Sequence, residues 1–228
     1  MNTKTVLEAR HLNKYFHEPV EFHVLKDINL TIKSGEFASI IGPSGSGKST
    51  LLYVLSSLDR DYEGDVLFNN IELKSLTNHK MAHLRNKSIG FIFQFHYLLA
   101  DFTALDNVML PGLKLGELTH EELEEKAMEK LDLLGIADQA KKRVNRLSGG
   151  QQQRVSISRA LINEPRIIFC DEPTGNLDSK NATTVFDMLK NLTREFDQTI
   201  LMVTHDDFFS SKTDRQIQLL DGKIVGSD

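Results

Sequence analysis

Apolar residues in this chain come in short alternating runs and short continuous runs, cut by Gly, Asp and Asn, and the spacing defines most elements. Alternation and β-branched residues predict strands at 6–12, 24–32, 37–41, 66–68, 89–93, 167–170, 200–203 and 216–220. Asp221-Gly222 then forms a turn dipeptide, and 223–225 closes a hairpin. Leu123, Ala127, Leu131 and Leu134 line one face of a helix that Thr119 and Glu122 open as a capping box and Gly135 ends. A second helical stripe runs through Ala182, Phe186, Leu189, Leu192 and Phe196. The short apolar runs FASII and IIFC are each followed by a turn and a helix, as buried parallel strands of an α/β core are. Residues 94–163 read as mostly helical, an insertion into that core.

Composition bounds the size of the answer. With 228 residues, 40% hydrophobic and 26% charged, the chain can bury one substantial core with a smaller appendage, so a single domain is expected over 1–228. Core and β subdomain take 1–93 and 164–228, and the helical subdomain takes 94–163. A net charge of -5 argues against a nucleic-acid binder that relies on a basic surface. The lone Cys170 excludes an internal disulfide, fits a reducing compartment and reads as a small core residue. Neither a signal-peptide core nor a run approaching ~20 apolar residues is visible. Any membrane role therefore requires another chain to hold this one there.

Two stretches carry phosphate chemistry. Gly42-Pro43-Ser44-Gly45-Ser46-Gly47-Lys48-Ser49, continued by Thr50, matches G-x-x-x-x-G-K-[ST] between a strand and a helix. The glycines let successive N–H groups turn inward around phosphates at the positive end of the helix. Lys48 is expected to reach the β- and γ-phosphates of a nucleotide, and the Ser49 hydroxyl to ligate Mg²⁺. Downstream, Asp171 and Glu172 end an apolar strand. Asp171 is suited to hold Mg²⁺ through water and Glu172 to polarise an attacking water. The second cradle is Ser148-Gly149-Gly150, at the mouth of a helix about a hundred residues beyond the first.

The ordered set of motifs resembles the nucleotide-binding subunit of an ABC transporter over essentially the whole chain. It comprises the P-loop, Gln94 after GFIF, the LSGGQ signature from Leu147 to Gln151, IIFCDE, GNLD from Gly175 to Asp178, and VTHD with His205. The resemblance implies an α/β P-loop NTPase core with a mixed sheet, an N-terminal antiparallel β subdomain and an inserted helical subdomain. It further implies that Gln94 senses Mg²⁺ and the coupling helices of a membrane partner, that His205 contacts the γ-phosphate, and that Asp178 communicates across a dimer. Two copies pack head to tail in this family. Ser148, Gly149, Gly150 and Gln151 of one copy then close over ATP held by the other, which answers why one chain carries two cradles. Phe16, where tyrosine is commoner, would stack on the adenine, with Tyr15 the neighbouring alternative.

The stretches FQFHYLLADFTALDNVMLP and DEPTGNLDSKNA are similar to the lipoprotein-releasing LolD type, whose relatives include the MacB exporter ATPase and the FtsE type. By that likeness the partners are separate integral membrane permease subunits, the location is the cytoplasmic face of the inner membrane, and nucleic acid is not a partner. An exporter or a periplasmic mechanotransmission complex is the alternative task. Phe95, Tyr97, Leu98, Leu99 and Phe102 read either as a groove for a coupling helix or as subdomain core. A soluble ABC ATPase acting on DNA or ribosomes usually has paired nucleotide units or a long coiled coil, and neither is visible. A P-loop kinase or GTPase has no use for the signature stretch.

Overall fold

The computed structural model describes residues 4–227; residues 1–3 and 228, the outer ends of the expected domain, lie outside the described residues. Two sheets organise the chain. Strands β1 (Thr5–Phe16), β2 (Phe22–Lys33), β4 (Glu63–Phe68) and β5 (Ile71–Glu72) form an antiparallel sheet in the order β2-β1-β4-β5. The second sheet has the order β10-β9-β3-β8-β7-β6, from β3 (Phe37–Ile41), β6 (Ile89–Phe93), β7 (Ile167–Asp171), β8 (Thr199–Val203), β9 (Arg215–Leu220) and β10 (Lys223–Ser227). Its neighbours are parallel except for β9 and β10, which form the antiparallel hairpin at Asp221-Gly222. Both turn residues have positive φ, 46° and 78°, the backbone that a two-residue hairpin of the primed type requires.

Seven helices complete the described chain: α1 (Lys48–Leu55), α2 (Asn78–Ser88), α3 (Ala104–Leu115), α4 (His120–Leu133), α5 (Gly149–Leu161), α6 (Ser179–Phe196) and α7 (Asp207–Ser210). Capping boxes open three of them, at Thr103/Asp106, Thr119/Glu122 and Ser148/Gln151. Each box satisfies two backbone or side-chain donors that the first turn leaves without intrahelical partners.

The parallel strands are buried on both faces, and the faces are divided by alternation. Phe37, Ile168, Cys170, Ile200 and Met202 join the cluster formed by α3, α4, α5 and α6. Their neighbours Ala38, Ile40, Phe169, Leu201 and Val203 join the cluster that α1 and the antiparallel sheet complete on the opposite side. The mixed sheet is therefore the middle of three layers.

Differences from the sequence expectation have local causes. β1 continues to Phe16 rather than stopping at residue 12, because His11 and Asp27 adopt φ of 47° and 54° and the pairing shifts register there instead of ending. Ala182, Phe186, Leu189 and Leu192 are buried as expected, but Phe196 is 56% exposed. It is the last residue of α6, and the chain turns away at Asp197 (φ 53°) before the ring can be covered. Phe186 stacks on Phe37 and on Phe209, with ring centroids 5.6 and 5.0 Å apart, so it ties α6 to the sheet and to α7. Phe186→Ala is expected to cost about 3–5 kcal/mol of unfolding free energy, checked by urea denaturation followed by circular dichroism.

Candidate active site

Ile40 pairs with Val203, Val203 with Asp171, and Asp171 with Phe93, so one row of backbone pairing crosses β3, β8, β7 and β6. The segments that leave the carboxyl ends of these parallel strands begin at Gly42, Thr204, Glu172 and Gln94. Open parallel sheets present ligand sites along this edge.

After β3, the loop from Gly42 to Gly47 cannot accept ordinary residues everywhere. A Cβ at Gly42 would lie 2.0 Å from the Leu219 carbonyl oxygen, whereas one at Gly45 (φ 80°) would meet nothing within 4 Å. Gly47 caps α1 with φ 100°. The first N–H groups of that helix have no intrahelical carbonyl to bond and so offer donors to an anion. Pro43, Ser44 and Gly45 are exposed, and Ser49 and Thr50 are half-buried at the start of α1. The Ser46 hydroxyl is buried and has no hydrogen-bond partner. Lys48 is buried too, and its Nζ donates only to the carbonyls of Gly42 and Pro43, both at 2.9 Å. Among the described residues no carboxylate is within ion-pair distance of it. A buried ammonium without a counter-charge, beside an orphaned hydroxyl and free helix N–H groups, fits a polyanion.

The carboxylates at the end of β7 are held by donors. The Ser49 hydroxyl donates to Asp171 Oδ1 at 3.2 Å, and the Tyr53 hydroxyl donates to Oδ2 at 2.8 Å. Burial, reinforced by the bond to Asp171, pushes the Tyr53 phenol up to about 12. Glu172 has φ 47°, a left-handed conformation that costs a residue with a Cβ about 1–2 kcal/mol. That turn aims its Oε1 at His205 Nδ1, 3.0 Å away. Glu172 is half-buried while His205 is exposed. Cys170, two residues before Glu172, faces the core, and burial raises its thiol far above the usual range.

Gln94 follows β6. Its amide Nε2 donates to Asn176 Oδ1 at 3.3 Å, and Asn176 Nδ2 donates back to the Gln94 carbonyl at 3.1 Å. Lys48, Ser49, Asp171, Glu172, His205 and Gln94 thus stand along one strand edge, as expected from their motifs. Beyond Glu172 and His205 an open cavity of about 540 Å³ is lined further by Thr174, Gly175 and Phe209.

The second cradle stands apart from the first. Ser148 caps α5 by accepting from the Gln151 N–H, and Gln151 Oε1 accepts from the Ser148 N–H. Ser148 and Gly149 are exposed, while Gly150 is buried, where a Cβ would lie 2.6 Å from Asn181 Oδ1. Asp178 caps α6, accepting from both the backbone N–H and the side chain of Asn181. These bonds stay within the starts of α5 and α6, and none reaches the P-loop. At the end of β1, Phe16 is 45% exposed with Lys14 Nζ 5.3 Å from its ring centroid. The Tyr15 ring is already stacked on His23 at 4.1 Å, which favours Phe16 as the available aromatic surface.

Three side chains joined to this site were given no role by the sequence: Tyr53 on Asp171 and Gln153 in α5, which lie outside the motifs, and Asn176 on Gln94, which stands inside GNLD. Gln153 is buried and donates to the carbonyl of Pro173, the residue after Glu172, at 2.8 Å. Each bond spans 20 residues or more, and only the helical position of Tyr53, four beyond Ser49, could have flagged it. Gly42→Ala is expected to abolish binding of a fluorescent ATP analogue, while Gly45→Ala, strained but unobstructed, retains it within about tenfold; titration by fluorescence anisotropy checks both.

The comparisons agree with this geometry. The sequence profile described as ABC transporter matches residues 25–175. The chain is 44% identical over 224 residues to the lipoprotein-releasing system ATP-binding protein LolD 1 of Chlorobium chlorochromatii, covering 98% of this chain and 91% of that protein. It is 48% identical over 202 residues to LolD of Leptospira interrogans, covering 89% and 84%. The dimeric post-hydrolysis structure of the ATP-binding cassette MJ0796, bound to ADP and Pi, superposes with a TM-score of 0.88 at 40% identity, covering 97% of each chain. A nucleotide-shaped polyanion site on a chain with these relatives has one reading: the protein belongs to the ABC transporter family, as an ATP-hydrolysing cassette.

Proposed function

We propose that two copies of this cassette clasp two ATP molecules between them, and that the cycle of closure and hydrolysis drives separate membrane permease subunits to release lipoproteins from the inner membrane. The observation that carries the chemical part is the pairing of Ser49 with Asp171 beneath the P-loop, with Glu172 and His205 joined one residue further along. Lys48 and the N–H groups of the P-loop bind the β- and γ-phosphates. Phe16 stacks on the adenine.

Ser49, Asp171 and Gln94 would hold Mg²⁺. Among the described residues no group of three or more His, Cys, Asp or Glu side chains can hold a metal alone. This suits Mg²⁺, which is usually bound through one or two carboxylates and keeps phosphate oxygens and water in its shell. When bound, the ion neutralises charge on those oxygens. Glu172 orients a water for in-line attack on the γ-phosphorus and accepts its proton, and the imidazole of His205 holds the γ-phosphate.

The signature cradle then belongs to the other copy. Ser148, Gly149, Gly150 and Gln151 form a helix N-terminus, exposed at Ser148 and Gly149, to which no anion of the described residues binds, and a partner's γ-phosphate supplies one. ADP lacks that group, so its loss removes the grip and the dimer opens. Asp178, at the start of α6 against Gly150, lies where closure is felt. Dimeric MJ0796 with ADP and Pi supports this arrangement.

For the membrane partner, the support is a groove of about 800 Å³ beside the Gln94 loop, bounded by Phe91, Phe93, Tyr97, Pro111 and Leu115. Arg159 fixes its floor by donating to the carbonyls of His96 and Tyr97, at 2.8 and 2.7 Å. Phe95, Tyr97, Leu99 and Phe102 are all exposed, against the core reading, and Tyr97 among them lines the groove; Leu98 packs partly inward. Among the described residues no helix is long and apolar enough to cross a membrane. We read residues 94–163 as a helical subdomain that passes motion from this groove to the signature, and place the protein at the cytoplasmic face through its permease. The two LolD relatives carry the assignment of lipoprotein as cargo.

Glu172→Gln is expected to bind ATP normally and hydrolyse it about 10²- to 10⁴-fold more slowly; near-normal turnover would remove the proposed base. Ser148→Arg should stay monomeric by light scattering with ATP present while each monomer still binds nucleotide. Purification from detergent-solubilised membranes should bring permease chains with large periplasmic domains, and ATP should release a lipoprotein from the reconstituted complex. Stimulation of a solitary soluble protein by DNA or ribosomes would overturn the transport assignment.

A further inference from the structure

Tyr53 lies outside the motifs of the nucleotide site, yet it makes the shorter of the two hydrogen bonds to the Asp171 carboxylate, 2.8 Å against 3.2 Å for Ser49. Ser49 and Tyr53 are four residues apart on α1 and so share a face of that helix. One helix face therefore grips both oxygens of one carboxylate. The terminal torsion of an aspartate is broad and roughly two-fold, so side-chain preference alone does not fix how the carboxylate plane is turned. Two donors at fixed positions do fix it. The hydrogen-bond inventory is also suited to a cation: Ser49 uses its single hydroxyl hydrogen on Oδ1 and keeps its oxygen lone pairs, while Asp171 accepts two hydrogen bonds and keeps further acceptor sites for a metal-bound water.

We propose that Tyr53 is a positioning residue for the divalent cation, locking the rotation of the Asp171 carboxylate so that Ser49 and Asp171 are pre-set to receive the ion. This rests on the reading of Ser49 and Asp171 as the metal-binding pair. Outer-shell partners of metal-binding carboxylates typically matter 10–100-fold in metal affinity. Tyr53 is carried by the same helix as the P-loop lysine, and its ring, 36% exposed, lies at the surface beside Asp171.

The test uses the full-length protein, ADP and Mn²⁺ as the spectroscopic probe. In Tyr53→Phe, which keeps the ring and removes only the donor, the Mn²⁺ concentration that half-saturates the ADP-bound protein should rise about tenfold by electron paramagnetic resonance. ADP binding in excess EDTA and the melting temperature should stay at wild-type values, because neither depends on a bound metal. Asp171→Asn is measured alongside. A wild-type Mn²⁺ response in Tyr53→Phe with a weakened one in Asp171→Asn overturns the role of Tyr53 alone. Wild-type responses in both variants overturn the metal-binding pair and this proposal with it. Equal loss of ADP affinity with and without EDTA in Tyr53→Phe assigns the residue to packing and likewise overturns the proposal.

Discussion

Register in the parallel sheet is the constraint on which the site depends. The row from Ile40 through Val203 and Asp171 to Phe93 is held by backbone hydrogen bonds, and the chemistry starts with Asp171 in the row itself and one or two residues beyond it on the other strands. Side chains alternate between faces, so a slip of one residue on β7 would turn Asp171 and Cys170 to each other's sides. The two hydrophobic clusters oppose such a slip, because every residue of β8 is buried and β7 is buried up to Cys170. Core packing on both faces is thus what sets the position of the carboxylates relative to the P-loop.

Charge is then managed within that frame. Asp171 and Glu172 emerge from an apolar strand, and each finds donors: Ser49 and Tyr53 for the first, His205 for the second. The left-handed turn at Glu172 is retained because its own N–H bonds the Val203 carbonyl and its carbonyl receives the Gly175 N–H. Lys48 is the exception, a buried cation satisfied by carbonyls alone. The imbalance between well-partnered carboxylates and an under-partnered ammonium gives the pocket its preference for an anion with several oxygens.

Much of this was legible in the sequence, for reasons that differ by element. FASII and IIFC announced buried strands because a strand covered on both faces is a near-continuous apolar run, with Ser39 as the one polar side chain, bonded to Thr213. Thr119 with Glu122, and Asp221 with Gly222, announced a helix start and a hairpin because their chemistry is local. The P-loop was readable because its glycines answer to backbone geometry, as the close approach of Gly42 to Leu219 illustrates. The strand extension past Leu12 was hidden by a bulge that interrupts alternation without ending the pairing. Tyr53 and Gln153 were invisible, and Asn176 was visible only as part of GNLD, since each acts on a partner brought near only by folding. Phe196 fitted the helical stripe, but periodicity does not say where the neighbouring layer stops.

Cys170 has a practical corollary. The sole thiol of the chain sits in the central layer, wholly covered and strongly disfavoured as a thiolate. Oxidants and alkylating reagents that leave the fold intact have no route to it. The natural sequence is accordingly a ready host for a single engineered cysteine, whose spin label, fluorophore or cross-linker would report from one chosen place without first deleting a native residue.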